Sequence, residues 1–254
     1  MRHVPTLLRR ELAAYFLGPM AFLIFLAFQA IAWLNFRTLV DDLARNSQSF
    51  SSLGDPMNAY ISGSLPFWIG LLVAVPLLTM RLLAEERRSG TIEQLLTAPV
   101  TEAEVVVAKW LAGTAMYLAL LLPFALYLPF LYYQGHYHFD LGPVASLAVG
   151  LTSIGMMLVA IGLFFSALTR NQVVAAVLTF ATIFLLVFAT RAAYANALQY
   201  RASWAGAMVF LSVIDQVGRF GSGQLDLRFL AIHLSVALPL LYLTAKALQY
   251  RRES

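Results

Sequence analysis

Six long apolar runs divide the chain, and none holds an acidic or basic residue away from its ends. They cover residues 16–36, 66–83, 105–132, 143–168, 173–190 and 229–248. As a helix rising roughly 1.5 Å per residue, each is long enough to cross a hydrocarbon core of ~30 Å. Only Thr169–Gln172 separate the fourth run from the fifth, so those two form a tight helical hairpin. Residues 4–17 pattern differently. Leu8, Leu12, Tyr15 and Phe16 recur at helical spacing while Arg9, Arg10 and Glu11 are polar. That pattern predicts a short amphipathic helix lying in the membrane interface, broken from the first span by Gly18-Pro19.

Composition agrees with the pattern. Of 254 residues, 60% are hydrophobic and 12% charged, with mean hydropathy +0.75. Soluble domains run nearer ~45–50% apolar and ~25% charged. A typical cytosolic enzyme, a disordered chain and a disulfide scaffold are thereby excluded, the last also by the absence of Cys. The expected fold class is an all-α polytopic membrane protein, with residues 1–254 forming one membrane domain. The long first run has no small-residue cleavage site after it, so a cleavable signal peptide is not expected.

Charge sets orientation. Eleven of the 17 Lys and Arg fall at the chain ends, between spans two and three, and at Arg170. The other six, Arg37, Arg45, Arg191, Arg201, Arg219 and Arg228, are spread over longer loops. The positive-inside rule then places both termini in the cytosol, and six spans agree. The long linker from Arg191 to Arg228 is too polar to span but contains an apolar stretch. Short helices on or in the outer face are expected there. No basic run is dense enough to suggest nucleic acid.

The segment from Arg81 to Lys109 carries the most information. Arg81 and Glu85 stand four apart, so span two is expected to continue as a charged helix. Ser89-Gly90 ends it. Thr91-Ile92-Glu93-Gln94 forms a capping box, and Pro99 stops the short helix that follows. Ile92, Leu95 and Leu96 share one face of it. Thr101-Glu102-Ala103-Glu104 makes a second capping box, which starts span three. A short capped helix held between two spans reads either as an ordinary interfacial turn or as a coupling helix that docks on a motor subunit.

The run Glu85-Glu86-Arg87-Arg88-Ser89-Gly90-Thr91-Ile92-Glu93-Gln94-Leu95-Leu96-Thr97-Ala98-Pro99-Val100 resembles the signature of ABC-2 type transporter permeases. Ala108-Lys109 stands where that family has Gly-Lys. Gly162-Leu163-Phe164-Phe165-Ser166-Ala167-Leu168-Thr169-Arg170-Asn171-Gln172 resembles the family's junction of spans four and five, and Arg10-Glu11-Leu12 its opening. The stretch from Phe210 to Arg228 is similar to the gliding-motility-associated branch.

The resemblance implies a permease subunit, an exporter by family habit, in the cytoplasmic (inner) membrane of a bacterium. Two permease protomers, identical or not, would pair above two ATP-binding cassette subunits, with a periplasmic or membrane accessory subunit as a further candidate partner. Contact with the motor would fall on Glu85, Glu86, Arg88, Thr91, Ile92, Glu93, Leu95, Leu96 and Pro99. A second cytosolic contact would fall on Thr169, Arg170, Asn171 and Gln172, and the interfacial helix would offer Arg9, Arg10 and Glu11. ATP and Mg would bind in the partner. No cofactor is expected in this chain, and the residues agree that it carries no P-loop ATPase of its own, because neither Lys109 nor Lys246 follows a Gly or precedes Ser or Thr.

Other chemistries are weaker. Charge-free spans count against a motor-independent, proton-coupled carrier. Lys109 and Lys246 are expected to snorkel to the cytosolic surface. Gln29 and Asn35 in span one read as helix–helix glue or as pathway lining. Gly150, Gly155 and Gly162 read as packing within the protomer. His136, His138 and Asp140 are too sparse a set to predict a metal site. Ser153 and His233 are what an intramembrane serine protease would need. The first Gly is misplaced for a nucleophile elbow, His233 lies nearer the outer end of its span, and hydrogen-bond reach is the test.

Overall fold

A computed structural model describes residues 3–45, 58–90, 100–135 and 141–253. All regular structure among these is helical. The elements are α1 (Val4–Leu17), α2 (Pro19–Arg45), a π-helical turn at Asn58–Ser62, α3 (Leu65–Thr79), α4 (Ala84–Ser89) and α5 (Glu102–Gly135). After them come α6 (Leu141–Leu168), α7 (Gln172–Phe184), a second π turn at Leu185–Ala189, α8 (Thr190–Gln199), α9 (Ala205–Met208), α10 (Val213–Gly221) and α11 (Leu227–Glu253). Among the described residues, six helical stretches are long and apolar enough to cross a membrane: Pro19–Asp41, Leu65–Ser89, Glu102–Tyr127, Gly142–Leu168, Gln172–Gln199 and Leu227–Tyr250.

The second and fourth spans are mostly buried, while the first, fifth and sixth present broad apolar faces outward. The bundle is thus organised around α3 and α6, with α11 packed along α6 and α1 lying on α5. Glycines let α6 serve as the axis. A Cβ at Gly150 would meet the Phe220 ring at 2.3 Å, one at Gly155 the Tyr117 ring at 2.1 Å, and one at Gly162 the Thr79 hydroxyl at 2.1 Å. These three glycines pack within the protomer, as their spacing predicts.

The amphipathic helix α1 spans the predicted residues, and Gly18, in extended conformation, separates it from α2. Three boundaries differ from expectation. The first span runs on to Arg45, where Arg37 and Asp41 lie four apart and pair across a helical turn at 3.9 Å. The fifth does not stop at residue 190. It passes through a π turn, where the Thr190 hydroxyl donates to the Leu186 carbonyl, and continues as α8. Arg191 is therefore helical rather than part of a loop. Span two is not continuous either: the helix stops at Thr79 and resumes at Ala84.

The linker before span six does hold short helices, α9 and α10. The second capping box forms as predicted, the Thr101 amide donating to the Glu104 carboxylate and the Glu104 amide to the Thr101 hydroxyl, both at 3.3 Å. The first capping box, the coupling-helix residues Thr91, Ile92, Glu93, Leu95, Leu96 and Pro99, and the loop residues His136, His138 and Asp140 lie outside the described residues.

Because the α6 contacts leave no room for a methyl group, Gly155→Ala and Gly162→Ala are expected to destabilise the bundle by about 1–3 kcal/mol. Gly206, with open space where its Cβ would be, is the control. Thermal unfolding in detergent should show a lowered midpoint for the first two variants and none for Gly206→Ala.

Candidate functional site

The break in span two creates the site. In an unbroken helix the Leu78 carbonyl would accept from Leu82, but the Leu82 amide bonds instead to the Thr79 carbonyl at 3.1 Å. Pro76 has no amide hydrogen, and Thr79 turns its hydroxyl back onto the Val75 carbonyl at 2.9 Å. Backbone groups freed this way must find partners, since bilayer and core offer no water. Tyr15 supplies one from α1, its phenol donating to the Leu78 carbonyl at 2.9 Å. Burial pushes that phenol up from its ordinary pKa, so it keeps the proton it donates.

Ser166 of α6 supplies the rest. Its hydroxyl donates to the Met80 carbonyl and accepts from the Leu83 and Ala84 amides, each at 3.0 Å. One donor and two lone pairs are all used. The oxygen serves as the N-cap of α4, delivered from a different helix. One turn further on, the buried Arg87 donates through Nη1 to the Ala167 carbonyl at the C-terminal end of α6. The two sequence motifs therefore meet. Gly162 admits Thr79, Ser166 caps α4, and Ala167 receives Arg87.

A charged lock sits beside this junction. Lys109 Nζ lies 3.0 Å from Glu11 Oε2 of α1 and 2.8 Å from Glu86 Oε1 of α4. Its side chain is 3% exposed, against 13% and 18% for the two carboxylates. Arg81 and Glu85 pair alongside at 2.7 Å, as their spacing predicts. Tyr15, Arg10 and these five residues line a cavity of about 230 Å³ between α1 and the ends of α2, α3 and α5. Its three cations match its three carboxylates, so the arrangement is suited to joining helices rather than to attracting a charged ligand. Through Lys109, α1, α4 and α5 become one unit. Since α4 ends at Ser89 and α5 begins at Glu102, the lock joins the two helices that flank residues 91–99.

Several predicted roles change. Lys109 does not snorkel; it is buried and doubly paired, because two carboxylates on neighbouring helices reach it first. Lys246 is exposed, as expected, bonding Gln249 at 2.8 Å. Of the signature basic pair, Arg88 is exposed and Arg87 makes the interhelical bond. Arg9 and Arg10 are exposed, while Glu11 turns inward to Lys109. In the hairpin, the Thr169 hydroxyl accepts from the Asn171 amide and Asn171 caps α7 through the Val173 amide. Arg170 there is exposed and Gln172 opens α7. Ser166, Arg87 and the partners of Lys109 were the residues that sequence reasoning missed. A serine two residues before the end of a span, and a lone Lys one turn inside another, were their only signals.

Gln29 and Asn35 both act between elements. Gln29 Nε2 donates to the Tyr127 hydroxyl of α5. Asn35 Nδ2 donates to the Tyr60 carbonyl at 2.6 Å, and its Oδ1 accepts from the Ser64 hydroxyl. The second pair fastens the π turn to span one.

Ser153 and His233 come within hydrogen-bond reach, Oγ to Nδ1 at 2.9 Å, contrary to the expected mismatch in depth. The reason is that α11 and α6 pack closely along their length. The surroundings still do not make a nucleophile. His233 Nε2 meets the neutral amide oxygen of Gln216 at 2.8 Å, where a Ser–His–Asp triad has a carboxylate to hold the imidazolium, and the Ser153 hydroxyl donates to the Gly150 carbonyl at 2.8 Å. Gln216 Nε2 ends the chain on the Phe210 carbonyl at 2.7 Å. This is a buried polar ladder joining α6, α11 and α10.

Lys109→Gln strands two largely buried carboxylates. It is expected to cost on the order of 3–5 kcal/mol. Adding Glu11→Gln and Glu86→Gln should recover most of the loss. Arg37→Gln breaks a pair with both side chains more than half exposed and should cost less than about 1 kcal/mol. Denaturation midpoints of the three variants, against the parent chain, check this.

No curated protein matches the chain. A family model described as ABC-2 family transporter protein matches residues 24–216. That range runs from within the first span through the fifth and takes in the junction of the two motifs and most of the linker before the sixth. The chain is a multi-pass membrane protein and belongs to the ABC-2 transporter family.

Proposed function

We propose that this chain is the permease subunit of an ATP-driven exporter, and that segment 91–99 transmits the motor's stroke. The observation that carries this reading is the Lys109 lock. A push on segment 91–99 enters α4 and α5 at its two ends. Lys109 joins those ends to each other and to α1, so the push is shared by three elements instead of being absorbed by a loose turn. The Ser166 and Arg87 bonds carry it on into α6, the axis of the bundle. Small displacements at such a junction become rearrangements of whole helices because packed interfaces shift between discrete arrangements.

In this reading both termini face the cytosol of a bacterium, and the membrane is the cytoplasmic one. ATP and Mg bind in a separate cassette subunit that contacts Glu93, Leu95 and Leu96. The exposed Thr169–Gln172 hairpin beside α4 offers the second contact. A second permease protomer covers part of the apolar surface of the outer spans, and substrate moves between the protomers. Charge-free spans suit a lipid or another amphiphile. The similarity of Phe210–Arg228 to the gliding-associated branch supports a role at the cell surface.

The test is purification of the tagged chain from native membranes in mild detergent, with ATP hydrolysis measured on what accompanies it. An ATP-binding subunit is expected to co-purify. Replacing Glu93 and Leu96 together by Ala should reduce its recovery and stimulated hydrolysis, with the permease melting unchanged. Normal hydrolysis and transport in that double variant would remove the coupling role. A stable chain that never brings an ATPase would favour a motor-independent carrier.

A further inference from the structure

At the end of the bundle opposite the Lys109 lock, a groove of about 380 Å³ opens between the turn at Ser62-Gly63, α8 and α10. Its charged lining is two arginines and one aspartate: Arg191, Arg219 and Asp215. Arg191 Nη1 lies 3.3 Å from Asp215 Oδ1, and the other oxygen of Asp215 accepts from the Ser212 hydroxyl. The carboxylate is therefore engaged on both oxygens. Arg219, one turn along α10, has no carboxylate partner among the described residues. The groove keeps one net positive charge.

The setting of Arg219 is specific. Its guanidinium lies over the Phe229 ring, 5.9 Å from the centroid. A ring face attracts the cation without taking up its N–H donors in conventional hydrogen bonds. The Tyr194 phenol and the Gln224 amide line the same groove and bring neutral donors. Tyr200 and Trp204 stand exposed between α8 and α9, side chains that favour the depth of lipid head groups. The groove is thus cationic, rich in donors and set at that depth. A guanidinium fork can hold a phosphate through two parallel bonds, and with Arg191 on Asp215 the Arg219 fork is the one left for a ligand at head-group depth.

We propose that this groove binds a phosphate-type oxyanion, with Arg219 as the principal contact and Arg191, Tyr194 and Gln224 completing the shell. The phosphate belongs either to an anionic phospholipid in the adjacent leaflet or to a soluble ion. Neither source requires the ATP-binding subunit, so the site stands or falls apart from the coupling role.

Two probes separate the sources. The full chain is placed in phosphatidylcholine nanodiscs with a trace of spin-labelled phosphatidylglycerol, and the immobilised fraction is compared with that of spin-labelled phosphatidylcholine. In uncharged detergent, inorganic phosphate is titrated by calorimetry. Arg219→Gln removes charge-assisted bonds and should weaken the preferred probe roughly tenfold. Arg219→Lys should retain part of the binding, and Lys246→Gln, at the far end of the bundle, should change nothing. A preference for phosphatidylglycerol that depends on Arg219 assigns the site to lipid. Phosphate binding that depends on Arg219, without lipid preference, assigns it to a soluble anion. No binding of either probe, or binding that survives both Arg219→Gln and Arg191→Gln, overturns the proposal. Arg219 is exposed, so its variants should melt with the parent chain, and melting curves confirm that any loss is local.

Discussion

The structure depends on how span two survives its own interruption. A helix that stops at Thr79 and restarts at Ala84 releases backbone donors and acceptors where little water can answer them. The chain answers from two other helices at once: a phenol from α1 and a hydroxyl from α6. Much of the organisation follows from that need. Span four must approach closely enough for Ser166 to reach, which requires Gly162 against Thr79. The interfacial helix must lie against span two closely enough for Tyr15, which brings Glu11 to Lys109. What looks like a defect in one helix is the point where three are joined.

The joint is also polarised along the bundle. At the joint Lys109, Glu11 and Glu86 are largely buried and paired, and their value lies in fixing relative positions. At the opposite end Arg219 is exposed and has no carboxylate partner among the described residues. The same residue types therefore do different work, decided by burial and by the count of opposite charges within reach. The Ser153–His233–Gln216 ladder lies between these extremes. It is neutral in its third member, buried, and satisfied at its far end by a backbone carbonyl, which suits it to holding α10 and α11 on α6.

Periodicity revealed the gross architecture. Apolar run length located six spans, and the alternation of Leu8, Leu12 and Tyr15 with Arg9 and Arg10 located α1. Capping chemistry marked the start of α5 at Thr101. Arg81 and Glu85 were legible as a pair because four residues on a helix is a fixed distance. Other features were not legible, and the reasons differ. The break after Thr79 falls within an apolar run and leaves no mark in hydropathy. Ser166 looks like any small residue in a membrane helix until the partner it caps is known. The burial of Lys109 depends on Glu11, 98 positions earlier in the sequence, and no local window contains both. Arg87 and Arg88 are alike in sequence, and only the facing of α4 separates them. The family signature marked the right segment without saying which of its side chains hold the fold.

The Ser166 cap also sets an order on how the protein can be made. Span two emerges from the ribosome some 80 residues before the hydroxyl that completes it. During that interval its midsection has amides and carbonyls with no permanent partner, in a segment already apolar enough to enter the bilayer. The nascent helix must then remain unbroken, stay where water still reaches it, or borrow partners from the insertion machinery. The joint is assembled only when span four arrives. A chain truncated before that point would carry spans two and three without the hydroxyl that caps α4.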